Sequence, residues 1–317
     1  MMSETTKLAL IAIGGNSIIK SGQRGSIREQ FDNIEETCRS IVQLVLRGFR
    51  VVVTHGNGPQ VGAQLLRSEL AAHQVYVHPL DVCVADTQGS MGYMIQNSLQ
   101  RALDDNNRND EVGSVVTQVV VDENDPAFKN PTKPVGPFYN EEEAREKSSK
   151  LGWEMVEDAE RGYRRVVPSP IPREIVEFRM IKAAVEDGII VIAVGGGGVP
   201  VIRRNDRLYG VEAVIDKDRA SSILAKSLRA DLFIISTDAE KVYLHFKKPD
   251  QKELDRVTVR EAKKLLDEGH FPPGNMGPKI EAVISYLEAG GKHAIITTPE
   301  NLGRAIDGET GTHFVPA

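Results

Sequence analysis

The length, composition and charge of this chain exclude several classes of protein. Its 317 residues, 40% hydrophobic and 26% charged, suit one large globular domain or two lobes, and they exclude a disordered or fibrous chain. The formal net charge of -6 argues against a partner such as nucleic acid or an anionic membrane, which usually requires a basic excess. We find no signal-peptide core, no apolar run that could span a membrane and no cysteine spacing typical of a metal site, so we expect a cytoplasmic protein.

Strands and helices alternate along the first part of the chain. The apolar run 8–13 predicts a strand, and Ser26 with Glu29 fits a capping box that opens a long helix ending near Gly48. The next predicted elements are a strand at 51–54, a helix after Pro59, a helix within 86–103 and a strand at 115–121. This alternation is typical of a mostly parallel sheet covered by helices on both faces.

The stretch 123–170 interrupts this pattern. It carries six of the 16 prolines and the only tryptophan, Trp153, and three consecutive glutamates at 141–143 open a charged helix. Eight basic residues are nearly balanced by ten acidic ones, so a clamp for nucleic acid is not indicated. We interpret the stretch as an inserted subdomain that acts as a lid.

The alternation resumes after residue 170. A helix at 174–187 precedes a strand that begins at Ile189, and Asn205 with Asp206 marks a possible hairpin. The remaining predicted elements are a helix from about residue 218, strands at 232–236 and 294–297, and helices at 259–268, 278–289 and 299–306.

Three of the predicted strands end in glycine. The turns contain Gly14-Gly15-Asn16, Gly56-Asn57-Gly58 and the run 195–198. If these strands are neighbours, the turns converge on a crevice lined by backbone N–H groups, which suits an anionic ligand. Taken one by one, each turn could equally be a tight turn that needs glycine. Residues 56–62 are one residue too long for the dinucleotide fingerprint, so a dehydrogenase is disfavoured.

Two lysines stand where a helix normally disfavours positive charge. Lys217, between Asp216 and Asp218, precedes one predicted helix, and Lys279 lies in the first turn of another. A cation there opposes the helix dipole by about 0.3–1 kcal/mol, which a bound phosphate would offset. The alternative is a pair of solvated surface lysines with aspartate partners. Lysines, backbone amides and a carboxylate without a covalent nucleophile describe a phosphoryl-transfer site.

At these positions the sequence resembles the carbamate kinases, a branch of the amino-acid-kinase family, over essentially its whole length. The motifs that carry the resemblance lie at 14–16, 55–62, 133–138, 167–170, 194–200, 212–218 and 275–279. The resemblance implies a three-layer αβα sandwich with a central, mostly parallel sheet and a protruding lid subdomain. It also implies a homodimer that transfers a phosphoryl group reversibly between carbamoyl phosphate and ADP, giving ATP and carbamate with Mg²⁺, as the last step of arginine catabolism.

The resemblance also implies a division of the chain and a set of site residues. A carbamoyl-phosphate lobe would comprise 1–122 and 171–215, with the lid at 123–170 and a nucleotide lobe at 216–317. The residues that would bind carbamoyl phosphate are Gly14, Gly15, Asn16, Gly56, Asn57 and Gly58. The catalytic residues would be Lys133, Lys217, Asp218 and Lys279. The nucleotide cleft would contain Thr237, Asp238, Val242, Tyr243, Gly274, Asn275, Met276 and Gly277.

Three positions bear on the choice between related activities. Ser17 and His55 stand where alanine and serine are common in the family, and we interpret His55 as a packing residue behind the phosphate loop. Kinases of the same fold that act on carboxylates or uridylate usually carry a lysine at the place of Ala12. Such a kinase, and a nucleotide sensor without turnover, remain as alternatives.

Overall fold

A computed structural model describes residues 6–158, 162–271 and 276–316. The helices in these ranges are α1 (Ile27–Leu46), α2 (Gly58–Leu70), α3 (Leu80–Asp104), α4 (Glu141–Leu151), α5 (Phe178–Glu186), α6 (Lys217–Leu228), α7 (Val259–Asp267), α8 (Met276–Glu288) and α9 (Leu302–Ile306). The strands are β1 (Leu8–Ile13), β2 (Arg50–His55), β3 (Val112–Ser114), β4 (Gln118–Val121), β5 (Lys133–Tyr139), β6 (Glu154–Asp158), β7 (Gly162–Val167), β8 (Pro172–Ile175), β9 (Ile190–Ile192), β10 (Val199–Arg204), β11 (Arg207–Gly210), β12 (Leu232–Ser236), β13 (Val242–Leu244), β14 (Lys252–Leu254), β15 (Arg256–Thr258), β16 (Ala294–Thr297) and β17 (Thr312–Val315). Short 3₁₀ turns occupy Gly15–Ser17, Pro126–Phe128, Gly195–Gly197 and Pro299–Asn301.

The main sheet has the strand order β15-β17-β16-β12-β1-β2-β9-β3. Its strand pairs are parallel except for β16 with β17, so the predicted mostly parallel sheet is confirmed. The three strands that lead into glycine turns, β1, β2 and β9, are neighbours in it. Their carboxyl ends therefore lie along one edge of the sheet, where ligands bind in open α/β folds.

Helices cover both faces of this sheet. Leu8, Leu10 and Ala12 of β1 face a core that includes side chains of α5, α6, α7 and α8. Ala9, Ile11 and Ile13 face a second core built with α1, α3 and α9. Because successive side chains of a strand point to opposite faces, β1 is buried on both sides. The predicted αβα sandwich is confirmed.

Local sequence signals set several element boundaries as predicted. Glu29 N donates to Ser26 Oγ at 3.3 Å and Ser26 N donates to Glu29 Oε2 at 2.7 Å, which forms the predicted capping box of α1. Asn205 and Asp206 adopt φ of 48° and 60° and join the antiparallel strands β10 and β11. The predicted hairpin is thereby confirmed. It forms here because both residue types tolerate the left-handed backbone region that the turn requires.

Three predicted elements differ in the structure. The single strand expected at 115–121 is wrong, because β3 ends at Ser114 in the main sheet and β4 begins at Gln118 in another sheet. Between them, Thr117 N donates to Gln88 Oε1 at 2.6 Å, which turns the chain away from the first sheet. The helix expected from residue 174 begins at Phe178, since 172–175 pair as β8, and α3 begins at Leu80, six residues earlier than the predicted range.

Smaller sheets complete the fold. Strands β11, β10, β4 and β8 form a sheet next to the main one, and β13 pairs with β14. Strands β5, β7 and β6 form a separate sheet with α4 packed on it, and this unit falls in the stretch predicted to be a lid. In the described part of the chain, no helix combines the length and the apolar content that a membrane span requires.

Candidate active site

The glycine turns after β1 and β2 pack against each other and against the end of β12. A Cβ atom added to Gly14 would lie 2.8 Å from the carbonyl oxygen of Ser236, at the end of β12. One added to Gly56 would lie 3.4 Å from the backbone nitrogen of Gly15. The backbone of the two turns and of the end of β12 is therefore brought together at the sheet edge, where the N–H of Gly56 donates to the carbonyl of Ile13 at 2.9 Å. Gly15 and Gly58 have open space where a Cβ would stand, so a ligand can approach their backbone.

The third glycine turn, after β9, packs against the second. Val194 and Gly196 adopt φ of 53° and 66°, and a Cβ at Gly196 would collide with the side chain of Asn57. Asn57 is buried, and its Nδ2 donates to Thr87 Oγ1 at 2.9 Å. A Cβ at Gly197 would collide with the carbonyl of Ile215, just before α6. This turn thus connects the Gly56–Gly58 loop with the amino end of α6.

Two lysines share one carboxylate at that helix end. Lys217 Nζ lies 2.8 Å from Asp218 Oδ1, and Lys279 Nζ lies 3.0 Å from Asp218 Oδ2. The exposed fractions of the side chains are 12% for Lys217, 13% for Lys279 and 4% for Asp218. Lys217 Nζ also donates to the carbonyl of Ala12 at 3.5 Å. The two lysines are therefore not solvated surface residues, and the cluster carries one net positive charge.

Burial and mutual contact shift the pKa values of this cluster. Burial lowers the pKa of Lys217, an effect that Asp218 offsets and Lys279 reinforces. Burial alone would raise the pKa of Asp218, but the two ammonium groups outweigh it and the pKa is lowered. Asp218 is therefore ionised at neutral pH. A further anion in the crevice would balance the remaining charge, as expected for a phosphoryl group.

Lys133 reaches the same helix end from the stretch predicted to be a lid. It is the first residue of β5, and its Nζ lies 3.3 Å from Asp216 Oδ2. Asp216 is the N-cap of α6, because its Oδ1 accepts the N–H groups of Asp218 at 3.0 Å and Arg219 at 3.2 Å. The structure thus brings all four predicted catalytic residues to the amino ends of α6 and α8.

His55 is a buried neutral residue behind the glycine loops. Its Nδ1 lies 3.0 Å from the carbonyl oxygen of Gly56, and a Cβ at Gly195 would collide with its ring. Burial lowers the pKa of His55 to about 4, and the charge of Lys217 contributes. These contacts agree with the interpretation of His55 as a packing residue.

Of the residues predicted to bind nucleotide, Thr237 lies next to Gly14, since a Cβ added to Gly14 would be 3.7 Å from Thr237 Cα. Thr237 follows β12, its N–H donates to the carbonyl of Thr297 at 2.8 Å, and its Oγ1 donates to Asp238 Oδ1 at 3.1 Å. Val242 and Tyr243 begin β13, and Met276 and Gly277 open α8, which carries Lys279 in its first turn. Gly274 and Asn275, and the side chain of Asn16, lie outside the described residues.

Sequence reasoning missed the contacts that join the lid to the site. It assigned the orientation of the lysines to Asp218 alone, whereas Asp216 holds Lys133, and Arg165 Nη2 donates to Glu212 Oε2 at 2.6 Å. The N-cap position of Asp216 could be read from the sequence, but its pairing with Lys133 could not. Over the described ranges, no three His, Cys, Asp or Glu side chains converge as a metal site would need.

Comparison with known proteins identifies the family. A sequence model of the amino acid kinase family matches residues 7–298. The chain belongs to the amino acid kinase family. This member is 50% identical to the carbamate kinase of Thermococcus kodakarensis, over 98% of this chain and 99% of that protein. It is 48% identical to the carbamate kinase-like protein YahI of Escherichia coli, over 98% and 99% of the two chains.

Solved structures agree with this assignment. The carbamate kinase of Giardia lamblia bound to AMP-PNP superposes on this amino acid kinase with a TM-score of 0.94 and 41% identity, over 99% of both chains. These similarities confirm the predicted resemblance to carbamate kinases, the fold class and the kinase activity, and they indicate a nucleotide as one substrate.

Proposed function

We propose that the protein is a carbamate kinase that transfers a phosphoryl group reversibly between carbamoyl phosphate and ADP, giving ATP and carbamate. The observation that carries this proposal is the buried cluster of Lys217, Asp218 and Lys279 beside the glycine loops. It offers a net positive charge and unshielded N–H groups, which is what a phosphoryl group in transfer requires.

Different residues bind carbamoyl phosphate and stabilise the phosphoryl group in transfer. Backbone N–H groups of the turns at Gly14 and Gly56 hold the phosphate of carbamoyl phosphate, with Asn16 and Asn57 beside them. Lys133, Lys217 and Lys279 stabilise the charge of the group in transfer, and Asp218 orients two of them. Both oxygens of Asp218 are in contact with lysines, so we expect direct in-line transfer without a phosphorylated protein. Ping-pong kinetics or an acid-stable phosphoprotein would contradict this expectation.

The nucleotide lies beside Gly14, against Thr237, Asp238, Val242 and Tyr243 and against residues 274–277. Mg²⁺ enters with the nucleotide as MgADP or MgATP. In such complexes most ligands of the ion are phosphate oxygens and water, so a dedicated protein site is unnecessary. When bound, the ion neutralises charge on the nucleotide phosphates.

The chain divides into three parts in this proposal. Residues 1–122 and 171–215 form the carbamoyl-phosphate lobe, 216–317 form the nucleotide lobe, and 123–170 form a lid that covers the crevice. Lys133 at the base of the lid then reaches the substrates when the lid is closed, so water is excluded as the site is completed.

We also propose that the protein is a cytoplasmic homodimer that makes ATP at the end of arginine catabolism. Both cysteines, Cys38 and Cys83, are free and buried thiols, as is usual in a reducing compartment. Val75, Tyr76 and Val77 form an exposed apolar run between α2 and α3, which a second subunit would cover. Sedimentation of the purified protein tests the dimer.

A related kinase acting on a carboxylate is the nearest competing function. Such kinases usually have a lysine at the place of Ala12, but this side chain lies wholly in the core and its carbonyl accepts Lys217 Nζ. A nucleotide sensor without turnover is the second competitor, and the intact lysine cluster argues against it. The decisive experiment is coupled detection of ATP from carbamoyl phosphate, ADP and Mg²⁺, with acetylglutamate and glutamate as alternative acceptors in the reverse direction. ATP formation supports the proposal, whereas stabilisation by ADP without turnover would indicate a sensor.

A further inference from the structure

The carboxylate of Asp216 makes two different kinds of contact. Oδ1 accepts the N–H groups of Asp218 and Arg219 and so fixes the first turn of α6, whereas Oδ2 lies 3.3 Å from the ammonium group of Lys133. The side chain of Asp216 is 15% exposed and that of Lys133 is 34% exposed, so the helix-capping contact is largely shielded from water and the ion pair is partly open to it. One rigid group therefore joins the lid to the helix that carries Lys217.

The segment before α6 contacts the lid at every second residue. Arg165 Nη2 donates to Glu212 Oε2 at 2.6 Å, Val214 N donates to the carbonyl of Pro168 at 2.9 Å, and Lys133 pairs with Asp216. Residues 212, 214 and 216 thus form a docking strip for the lid, and Asp216 is its end nearest to the lysine cluster.

We propose that Asp216 is a positioning residue that holds Lys133 beside the Lys217–Asp218–Lys279 cluster, so that the closed lid completes the site. Asp216 does not contact the reacting atoms. It fixes the ammonium group of Lys133 at the amino end of α6, from which the long lysine side chain reaches an anion in the crevice. The inference deepens the proposed function and rests on it.

The experiment is a double-mutant cycle on kcat for ATP formation. Asp216→Asn and Asp216→Ser both keep a good N-cap residue, so α6 retains its start while the charge that holds Lys133 is removed. We expect each variant to melt within a few degrees of the wild type and to lose kcat by about 10–100-fold. In a Lys133→Met background the same change at Asp216 should lower kcat by less than about threefold, because the lysine it positions is gone.

The outcomes distinguish a failure of the proposed function from a failure of this inference. A wild-type protein that forms no ATP overturns the proposed function and, with it, the role of Asp216. If the wild type forms ATP but the loss caused by Asp216→Asn is equally large with and without Lys133, Asp216 acts only through α6 and the inference is wrong. Near wild-type kcat in Asp216→Asn and Asp216→Ser would overturn it as well.

Discussion

The two regions that we propose as the source of positive charge in the site are built differently. Lys217 and Lys279 have exposed fractions of 12% and 13% and share a buried carboxylate on the main body. Lys133 is 34% exposed and belongs to a small sheet that meets the body through an apolar cluster, in which Val135 and Val167 are buried with Val61, Leu80 and Val84. Polar contacts add to it, including Tyr139 Oη to Glu69 Oε2 at 2.8 Å and an ion pair of Lys147 with the same glutamate. Both regions are therefore packed, but the contact that holds Lys133 is more exposed than those that hold Lys217 and Lys279.

This difference indicates which part of the site is preorganised and which part moves. Rearranging the body cluster would disrupt close-packed glycine turns, which tolerate little displacement. Moving only the Lys133 end of the lid would exchange one partly exposed ion pair for contacts with water, at a small free-energy cost, whereas separating the whole sheet would also expose Val135 and Val167. We therefore expect the body cluster to hold the phosphate in every state and the lid to supply its lysine only on closure.

The largest effect is expected for Asp218→Asn. The amide keeps the shape of the side chain but carries no charge to hold two ammonium groups 2.8 and 3.0 Å away. We predict that kcat falls by about 10³-fold or more, while the thermal melt still shows one cooperative transition. Steady-state turnover of the purified variant measures this, and unchanged turnover would remove Asp218 from the site.

A pair of alanine substitutions tests whether the body region is held by packing. In Gly14→Ala the new methyl group would lie 2.8 Å from the Ser236 carbonyl oxygen, whereas in Gly15→Ala it would meet no atom within 4 Å. We predict that Gly14→Ala lowers the free energy of unfolding by about 1–3 kcal/mol and that Gly15→Ala, the matched control, changes it by less than about 0.5 kcal/mol. Urea denaturation compares the two, and equal losses would show that the turn is not close-packed.

The smallest effect is expected on the pH dependence of the free energy of unfolding, and it tests whether the ring of His55 is shielded from water. Burial lowers the pKa of His55 to about 4, below the value near 6.5 of an unfolded chain. Between these values the unfolded state binds more protons, so the folded state loses stability as the pH falls through this window. We predict that, from pH 7 to 5, the wild type loses about 2 kcal/mol more than His55→Ser.

Equilibrium unfolding of both proteins at the two pH values measures that difference. His293, whose pKa burial also lowers to about 4, is present in both proteins, so its contribution cancels in the comparison. Equal losses of unfolding free energy in the wild type and His55→Ser would mean that water reaches the ring of His55.

Features encoded by neighbouring residues could be predicted from the sequence. The capping box of Ser26 and Glu29 and the hairpin at Asn205 and Asp206 depend on short-range hydrogen bonds and backbone preferences. The glycine turns could be assigned to one sheet edge because three similar strands end in the same way. These signals need no knowledge of the rest of the fold.

Features that depend on distant partners could not be predicted. The run 115–121 has the apolar pattern of one strand, but Gln88 of α3 binds the backbone of Thr117 and divides it between two sheets. Similarly, nothing around Lys133 indicates that Asp216, 83 residues further along the chain, is its partner. The family resemblance placed Lys133 in the site, whereas only the structure identifies the group that holds it there.

The proposal that the lid supplies Lys133 to the site is tested most directly by kcat and the ADP dissociation constant of Lys133→Ala, measured on the same preparation. If the lid supplies one preorganised cation to a body that already binds the nucleotide, kcat falls by about 10²–10³-fold and the affinity for ADP stays within about threefold of the wild type. Turnover within a few-fold of the wild type, or a loss of ADP binding in proportion to the loss of kcat, would contradict a lysine delivered by the lid.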